Sequence, residues 1–474
     1  MLRNALTILA IGASTVLPAT AVDDAINDVI DRELAASAVP GVAYAAVTGG
    51  ELTASGARGV ERIGDDAAVT ADTPFEIGSV SKSFTALAVM QLVEAGEVEL
   101  DAPLSGYLAD FAGHPAGAIT VRELLSHTSG FSTLQGNAAH SDATGAANEL
   151  ELVVDQLVEV TPAYPAGEHW EYSNTNYQIL GRLLEVVSGQ DFSGYLTTHI
   201  LDPIGMRDSF VADGEIHDEM ATGHRPWFGT KIALAENATD RATAPQGGVI
   251  ASANDVARYL QVMMNGEDDV LSAAGKAQMM RPASDASPFY GFGWFIDSAT
   301  GAVSHSGSTP GFESLATMIP AEGAAVVVLV NGGSGLGFGE TAALRDGITA
   351  AALGFDQPVS DSGWGLKALF LGMVALPIFY LGCLIWAWTH RSQLRAKRTA
   401  GVAGLFSLWF PLLTTIAAAW ALLVPIPAAI GAPLGTLNLF QPDLGLLFVA
   451  SAVTGVLWSG LRLAVAYTRA RDRT

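Results

Sequence analysis

Thr73-Pro74-Phe75-Glu76-Ile77-Gly78-Ser79-Val80-Ser81-Lys82-Ser83-Phe84-Thr85 leads into an almost unbroken apolar run that continues to Val93. From Phe84 to Val93 only Thr85 and Gln91 are polar, so the segment reads as a helix buried on nearly every side. Residues three apart share a helix face, which sets Lys82 beside Ser79 at the first turn. A hydroxyl held next to an amine is the arrangement of a serine nucleophile and its base, and the unpaired N–H groups of a helix start favour nearby negative charge. One Ser-x-x-Lys carries little alone, so its surroundings must decide.

Working outward, Asp101-Ala102-Pro103-Leu104 reads as the stop of the central helix. Upstream, Asp23 to Ser37 has the periodicity of an amphipathic helix. Val42–Val47 and Leu52–Gly59 flank a Gly49-Gly50 turn, which reads as a hairpin. Downstream, Thr120 and Glu123 are spaced as a capping box before Val121–Leu125. The Gly-, Ala- and polar-rich stretch from Ser132 to Ala147 reads as a surface loop beside the cleft. Helices are expected at Glu149–Val160, Asn176–Ser188, Phe192–Ile200, Ala253–Asn265 and Glu340–Leu353, and strands at Leu315–Ile319 and Ala324–Val330. Strands at both ends with helices between them predict an α+β body whose antiparallel sheet is assembled from the two ends of the chain.

The chain has 474 residues, 50% of them hydrophobic, with a mean hydropathy of +0.33. Such apolarity calls for membrane segments, and uncharged stretches lie at Ala368–Trp388, Gly401–Val424 and, slightly shorter, Leu444–Leu461. We therefore expect a membrane domain over 366–467 with spans near 366–388, 401–424 and 444–465, and a tail over 468–474. Arg391, Arg395, Lys397 and Arg398 lie between the first two spans, whereas the second gap, 425–443, has neither lysine nor arginine. Arg469, Arg471 and Arg473 follow the third span. The positive-inside rule then puts the first loop and the tail in the cytoplasm and the body outside. Residues 1–21 read independently as a secretory signal peptide: Arg3, an apolar run from Ala5 to Leu17, and Ala19-Thr20-Ala21 as a cleavage site. An uncleaved anchor is the alternative, against which the run is shorter than the ~20 residues a span needs.

The body, 22–358, is strongly acidic: Val22 to Gly363 holds 46 acidic against 14 basic residues. That balance argues against nucleic acid, which needs a basic face, and against close approach to an anionic membrane surface. The single cysteine, Cys383, excludes an intrachain disulfide framework. The nine histidines show no metal-binding spacing, so neither metal nor cofactor is expected. Gly332 to Gly339 follows a strand and precedes a helix, but it lacks both phosphate-loop spacings and reads as a flexible connection.

Two further stations stand beside Ser79. Tyr172-Ser173-Asn174 follows a Pro165-Ala166-Gly167 turn and precedes a helix, so its side chains can project into a cleft. A tyrosine made more acidic by Lys82 would pass protons between the serine and a leaving group, and Asn174 would orient a substrate carbonyl and Lys82 together. His305-Ser306-Gly307-Ser308 sits at a strand edge, where Gly307 lets a substrate backbone approach.

In this order, Phe75–Thr85, Leu124-Leu125-Ser126-His127-Thr128-Ser129-Gly130-Phe131, Tyr172–Tyr177 and His305–Phe312 resemble the serine β-lactamase and penicillin-binding protein superfamily. The likeness is to its class C β-lactamase-like branch of D-aminopeptidases, D,D-peptidases and esterases. It covers most of Val22 to Gly354 and implies a β-lactamase-like fold, an antiparallel sheet with a mostly helical region. It further implies Ser79 as the acylated nucleophile and Lys82 and Tyr172 as shared base and acid. Asn174 and Gln135 would contact substrate, and the backbone N–H groups of Ser79 and Ser308 would form the oxyanion hole. Where class C β-lactamases carry Lys-Thr-Gly, this chain has His305, only partly charged at neutral pH, so carboxylate recognition should be weaker. The expected function is a membrane-tethered extracytoplasmic hydrolase of small peptides, amides or esters, with β-lactam hydrolysis less favoured. The alternatives are a non-catalytic sensor or scaffold, against which the short cytoplasmic parts offer no output domain, and an accessory subunit of a transporter.

Overall fold

The computed structural model describes residues 19–138, 146, 148–357 and 363–468. Most of the expected signal peptide and tail therefore lies outside the described residues, as does most of 139–147. Contacts divide the chain into two compact units that meet between residues 360 and 361.

In the first unit, β1 (Gly41–Thr48) and β2 (Glu51–Gly59) form the expected hairpin. β3 (Phe295–Ile296), β4 (Val303–Thr309), β5 (Phe312–Ile319) and β6 (Ala324–Val330) come from the far end of the body. All six pair antiparallel in the order β2-β1-β6-β5-β4-β3. The join between the two ends is β1 on β6, with Val42 opposite Val330 and Tyr44 opposite Val328.

The side-chain period of two distributes these strands between two cores. Val42, Tyr44, Ala46, Val326, Val328 and Val330 face Ile26, Val29 and Ile30 of α1 (Ala19–Ser37) and Leu344 and Ile348 of α6 (Ala342–Leu353). Ala43, Ala45, Val47, Ala325, Val327 and Leu329 face the helical region. Both faces of β6 are covered, which is why its sequence is continuously apolar rather than alternating.

The central helix, α2 (Ser81–Glu94), is buried along 11 of its 14 residues. It begins two residues after Ser79, because Gly78 takes φ +52° and Gly78–Val80 form a 3-10 turn. It ends before the expected Asp101 stop, because Gly96 adopts a left-handed φ of +74°. The capping box at Thr120 and Glu123 is present, with both reciprocal bonds opening α3 (Val121–Leu125). The Ser132–Ala147 stretch is not all loop, since Thr133–Ala138 is a short helix. Nor is the Gly332–Gly339 connection loose, because the buried Lys231 ammonium donates to the carbonyls of Gly333 and Gly339 and Glu313 accepts from Ser334 N–H.

Among its described residues the second unit contains three helices long and apolar enough to cross a membrane, Trp364–Thr389, Gly401–Ala429 and Pro442–Tyr467, with mean hydropathies of 2.3, 1.9 and 1.9. The third is longer than its apolar core because Pro442 and Asp443 form its first turn. Thr415 Oγ1 donates to Ser459 Oγ at 2.8 Å, tying the second helix to the third.

Asn331, fully buried after β6, holds the two-ended sheet together. Its Oδ1 accepts from Gly41 N–H at 2.7 Å, and its Nδ2 lies 3.1 and 2.9 Å from the carbonyls of Val60 and Glu61. Asn331→Ala strands these partners away from water and should lower stability by about 3 kcal/mol, measured as a fall in the thermal midpoint of the body's near-UV circular dichroism.

Candidate active site

Ser79 is set by backbone. A Cβ on Gly78 would lie 2.6 Å from Ser308 N, and one on Gly307 only 1.9 Å from Ile77 O. The turn carrying Ser79 thus rests directly on β4, which only glycine at 78 and 307 permits. This contact brings the Ser308 backbone beside the turn that carries Ser79.

Lys82, the second residue of α2, is completely buried. Its Nζ lies 3.0 Å from Ser79 Oγ, 2.8 Å from Asn174 Oδ1 and 2.8 Å from the Gln246 carbonyl. Asn174 opens α4 (Asn174–Ser188), and Gln246 belongs to the tight turn Ala244–Gly247. That turn is bolted to α2 by Thr85 Oγ1 donating to Pro245 O at 2.6 Å and Val249 N–H donating to Ser81 Oγ at 2.9 Å.

Burial pushes the Lys82 amine well below the ordinary lysine range. Two of its three partners, a carbonyl and an amide oxygen, only accept, whereas the serine hydroxyl can also donate. A neutral amine therefore fits: two N–H groups go to Asn174 and Gln246, and the lone pair receives the Ser79 proton. Once protonated, the ammonium still finds three acceptors.

Tyr172 lies beside Ser79, which acts on its phenol, and its ring centroid lies 4.8 Å from Lys82 Nζ. The expectation that Lys82 acidifies this phenol is not met. Burial raises its pKa, with only Ser79 opposing, so Tyr172 stands as a neutral donor and Lys82 is the better candidate for the base. Its segment is held by Glu171 N–H donating to His127 O and Ser173 N–H donating to His127 Nδ1, at 2.9 and 3.1 Å.

His305 departs further from expectation. It is 2% exposed, its Nδ1 lies 2.7 Å from the Ser306 carbonyl and its Nε2 3.1 Å from Tyr290 Oη. The carbonyl requires Nδ1–H, so Nε2 accepts from the phenol and both nitrogens are engaged within the protein. Burial lowers its pKa to about 3. His305 is neutral and offers no cation to a substrate carboxylate.

Gln135 is not in the cluster either. Its Oε1 accepts from Ser132 N–H at 2.9 Å and its Nε2 donates to Thr161 O at 2.8 Å, so it caps its own loop. Asn137 takes the neighbouring place, its Oδ1 accepting from Asn174 Nδ2 at 2.9 Å. The chain of residues from Ser79 through Lys82 and Asn174 to Asn137 is continuous. Among the described residues no group of three or more His, Cys, Asp or Glu is placed to hold a metal.

With this geometry the comparisons are decisive. A family model described as Beta-lactamase matches residues 26–351. The chain belongs to the beta-lactamase family. Penicillin-binding protein 4 of Amycolatopsis lactamdurans is 33% identical over 63% of the chain and 83% of that protein. Protein flp of Staphylococcus aureus (strain MW2) is 26% identical over 65% of the chain but only 62% of its own length. Among solved structures, the octameric penicillin-binding protein homologue from Pyrococcus abyssi aligns with a TM-score of 0.61 and 25% identity, over 74% of this chain and 80% of that one. The fold and superfamily expected from the sequence are thereby established, and the chain is a serine hydrolase of this family.

Lys82→Met removes the base while keeping much of the volume, and should slow acylation of Ser79 by about 10²- to 10⁴-fold. In the unaltered enzyme the acylation rate should rise with pH through one ionisation, that of Lys82, below the ordinary lysine range. His305, already neutral, should add no inflection near pH 6.5. Stopped-flow measurement with a chromogenic ester checks both.

Proposed function

We propose that the chain is a membrane-anchored, extracytoplasmic serine hydrolase that cleaves esters or amides through an acyl-enzyme on Ser79. The observation that carries this reading is the fully buried Lys82 with its Nζ 3.0 Å from Ser79 Oγ, its amine pushed well below the ordinary lysine range by burial. Ser79 attacks the substrate carbonyl as Lys82 takes its proton. The backbone N–H groups of Ser79 and Ser308 stabilise the oxyanion, and Tyr172 delivers its proton to the leaving group while the ammonium of Lys82 gives its proton back to the Tyr172 phenolate. Asn174 keeps Lys82 aimed and, with Asn137, faces the acyl part of the substrate. Water then enters and the same groups hydrolyse the acyl-enzyme.

Neutral His305 and the acidic body favour substrates without a carboxylate next to the scissile bond, which ranks small esters and amides above carboxylate-bearing peptides and β-lactams. In this reading residues 22–358 form the hydrolase, and the helices within 366–467 anchor it with the basic 391–398 loop in the cytoplasm. The absence of lysine and arginine from 425–443 supports that orientation.

A fluorophosphonate should label Ser79 in the full-length protein and fail to label Ser79→Ala. In a matched pair of substrates the uncharged ester should exceed its carboxylate analogue in kcat/KM by about tenfold, the worth of one charge-assisted contact. No labelling and no turnover across esters, amides and a chromogenic cephalosporin would leave a non-catalytic binding role instead.

A further inference from the structure

The helical unit gathers cations that it does not itself neutralise. Lys397 Nζ donates to Ser407 Oγ at 2.8 Å, and Arg462 Nη2 donates to the Ser407 carbonyl at 3.0 Å, so cations from two different helices meet on one serine. Arg395 Nε reaches the Val465 carbonyl at 3.3 Å beside them. Every one of these acceptors is uncharged. Arg462 is 8% exposed, and its buried Nε has no hydrogen-bond partner. The indole of Trp458 lies 5.1 Å from the guanidinium carbon, and its Nε1 is also buried without an acceptor.

Over 363–468 Asp443 is the only acidic residue. It stands in the first turn of the helix whose last turns carry Arg462, about 28 Å away at 1.5 Å per residue. Donors thus exceed acceptors at one end of the bundle, and like charges converge where the dielectric is low. A ligand that relieves this must be anionic and rich in acceptors.

We propose that Lys397, Arg462 and Arg395 bind the phosphate of an anionic phospholipid headgroup at the end of the bundle that carries 391–398. Oxygens of a phosphodiester meet both ammonium and guanidinium donors, and the acyl chains lie along the apolar helices. A zwitterionic headgroup carries its own ammonium and competes poorly. The proposal rests on the reading that these helices span a membrane, and the test separates the two.

Full-length protein is first fractionated without detergent, then purified in detergent and titrated with short-chain phosphatidylglycerol, phosphatidylcholine or inorganic phosphate, with bound molecules counted by native mass spectrometry. Phosphatidylglycerol should bind about tenfold tighter than phosphatidylcholine. Lys397→Gln/Arg462→Gln should abolish that preference and Arg462→Lys retain part of it. Arg398→Gln, an exposed position off the cluster, should leave it intact. Lys397→Gln alone, at a partly exposed side chain, covers the case in which the double variant does not fold, and should lose most of the preference. Equal binding of the two lipids by membrane-sedimenting wild type, or an unchanged preference in Lys397→Gln, overturns the proposal alone. Inorganic phosphate binding as tightly as phosphatidylglycerol overturns the lipid as the source. Recovery of the chain in the aqueous fraction overturns the membrane reading beneath it.

Discussion

A buried amine with nowhere to leave its charge is the constraint around which the body is built. Lys82 is fully enclosed, and the Gly78–Val80 turn, the start of α4 and the Ala244–Gly247 turn each supply one oxygen to it. Desolvating an ammonium is costly, so the side chain keeps an ordinary lysine state only if the surroundings repay it. Here two fixed acceptors and one hydroxyl match a neutral amine, and the arrangement that relieves the burial cost is also the one proposed to activate Ser79.

The sheet serves that site by precision of backbone contact. β4 can press against the Ser79 turn only because Gly78 and Gly307 lack Cβ atoms. β4 in turn is placed through β5 and β6 on β1, so a hairpin near the start of the chain positions a strand from its far end. Asn331 pins that junction with its side-chain amide. Antiparallel pairing between distant segments is slow to close, which suits a design in which both faces of the shared strands bury apolar side chains once they meet.

What the sequence disclosed and what it hid divide along physical lines. Periodic and local features were legible: the apolar α2, the Thr120–Glu123 box, the glycine-turned hairpin, the three long apolar helices and the Ser79–Lys82 spacing. Features made by tertiary contact were not. Gln246 contributes a carbonyl, which has no side-chain signature. The charge on His305 depends on burial beside Tyr290, and the acidity of Tyr172 on its own burial, neither of which spacing reveals. Gln135 and Asn137 lie two residues apart on one short helix, and only the packing decides that the second reaches Asn174. The Gly332–Gly339 loop looked free because its clamp, Lys231, is about a hundred residues away.

The protonation state of Lys82 is the central claim, and the chain makes it directly measurable because it contains only five lysines. Lysine side chains labelled with ¹³C at Cε report their own titration by chemical shift, and Lys82→Arg assigns the resonance. The account predicts one lysine in wild type that titrates well below the ordinary range near 10.4 and is missing from the variant. A Lys82 resonance that titrates near that value would contradict it.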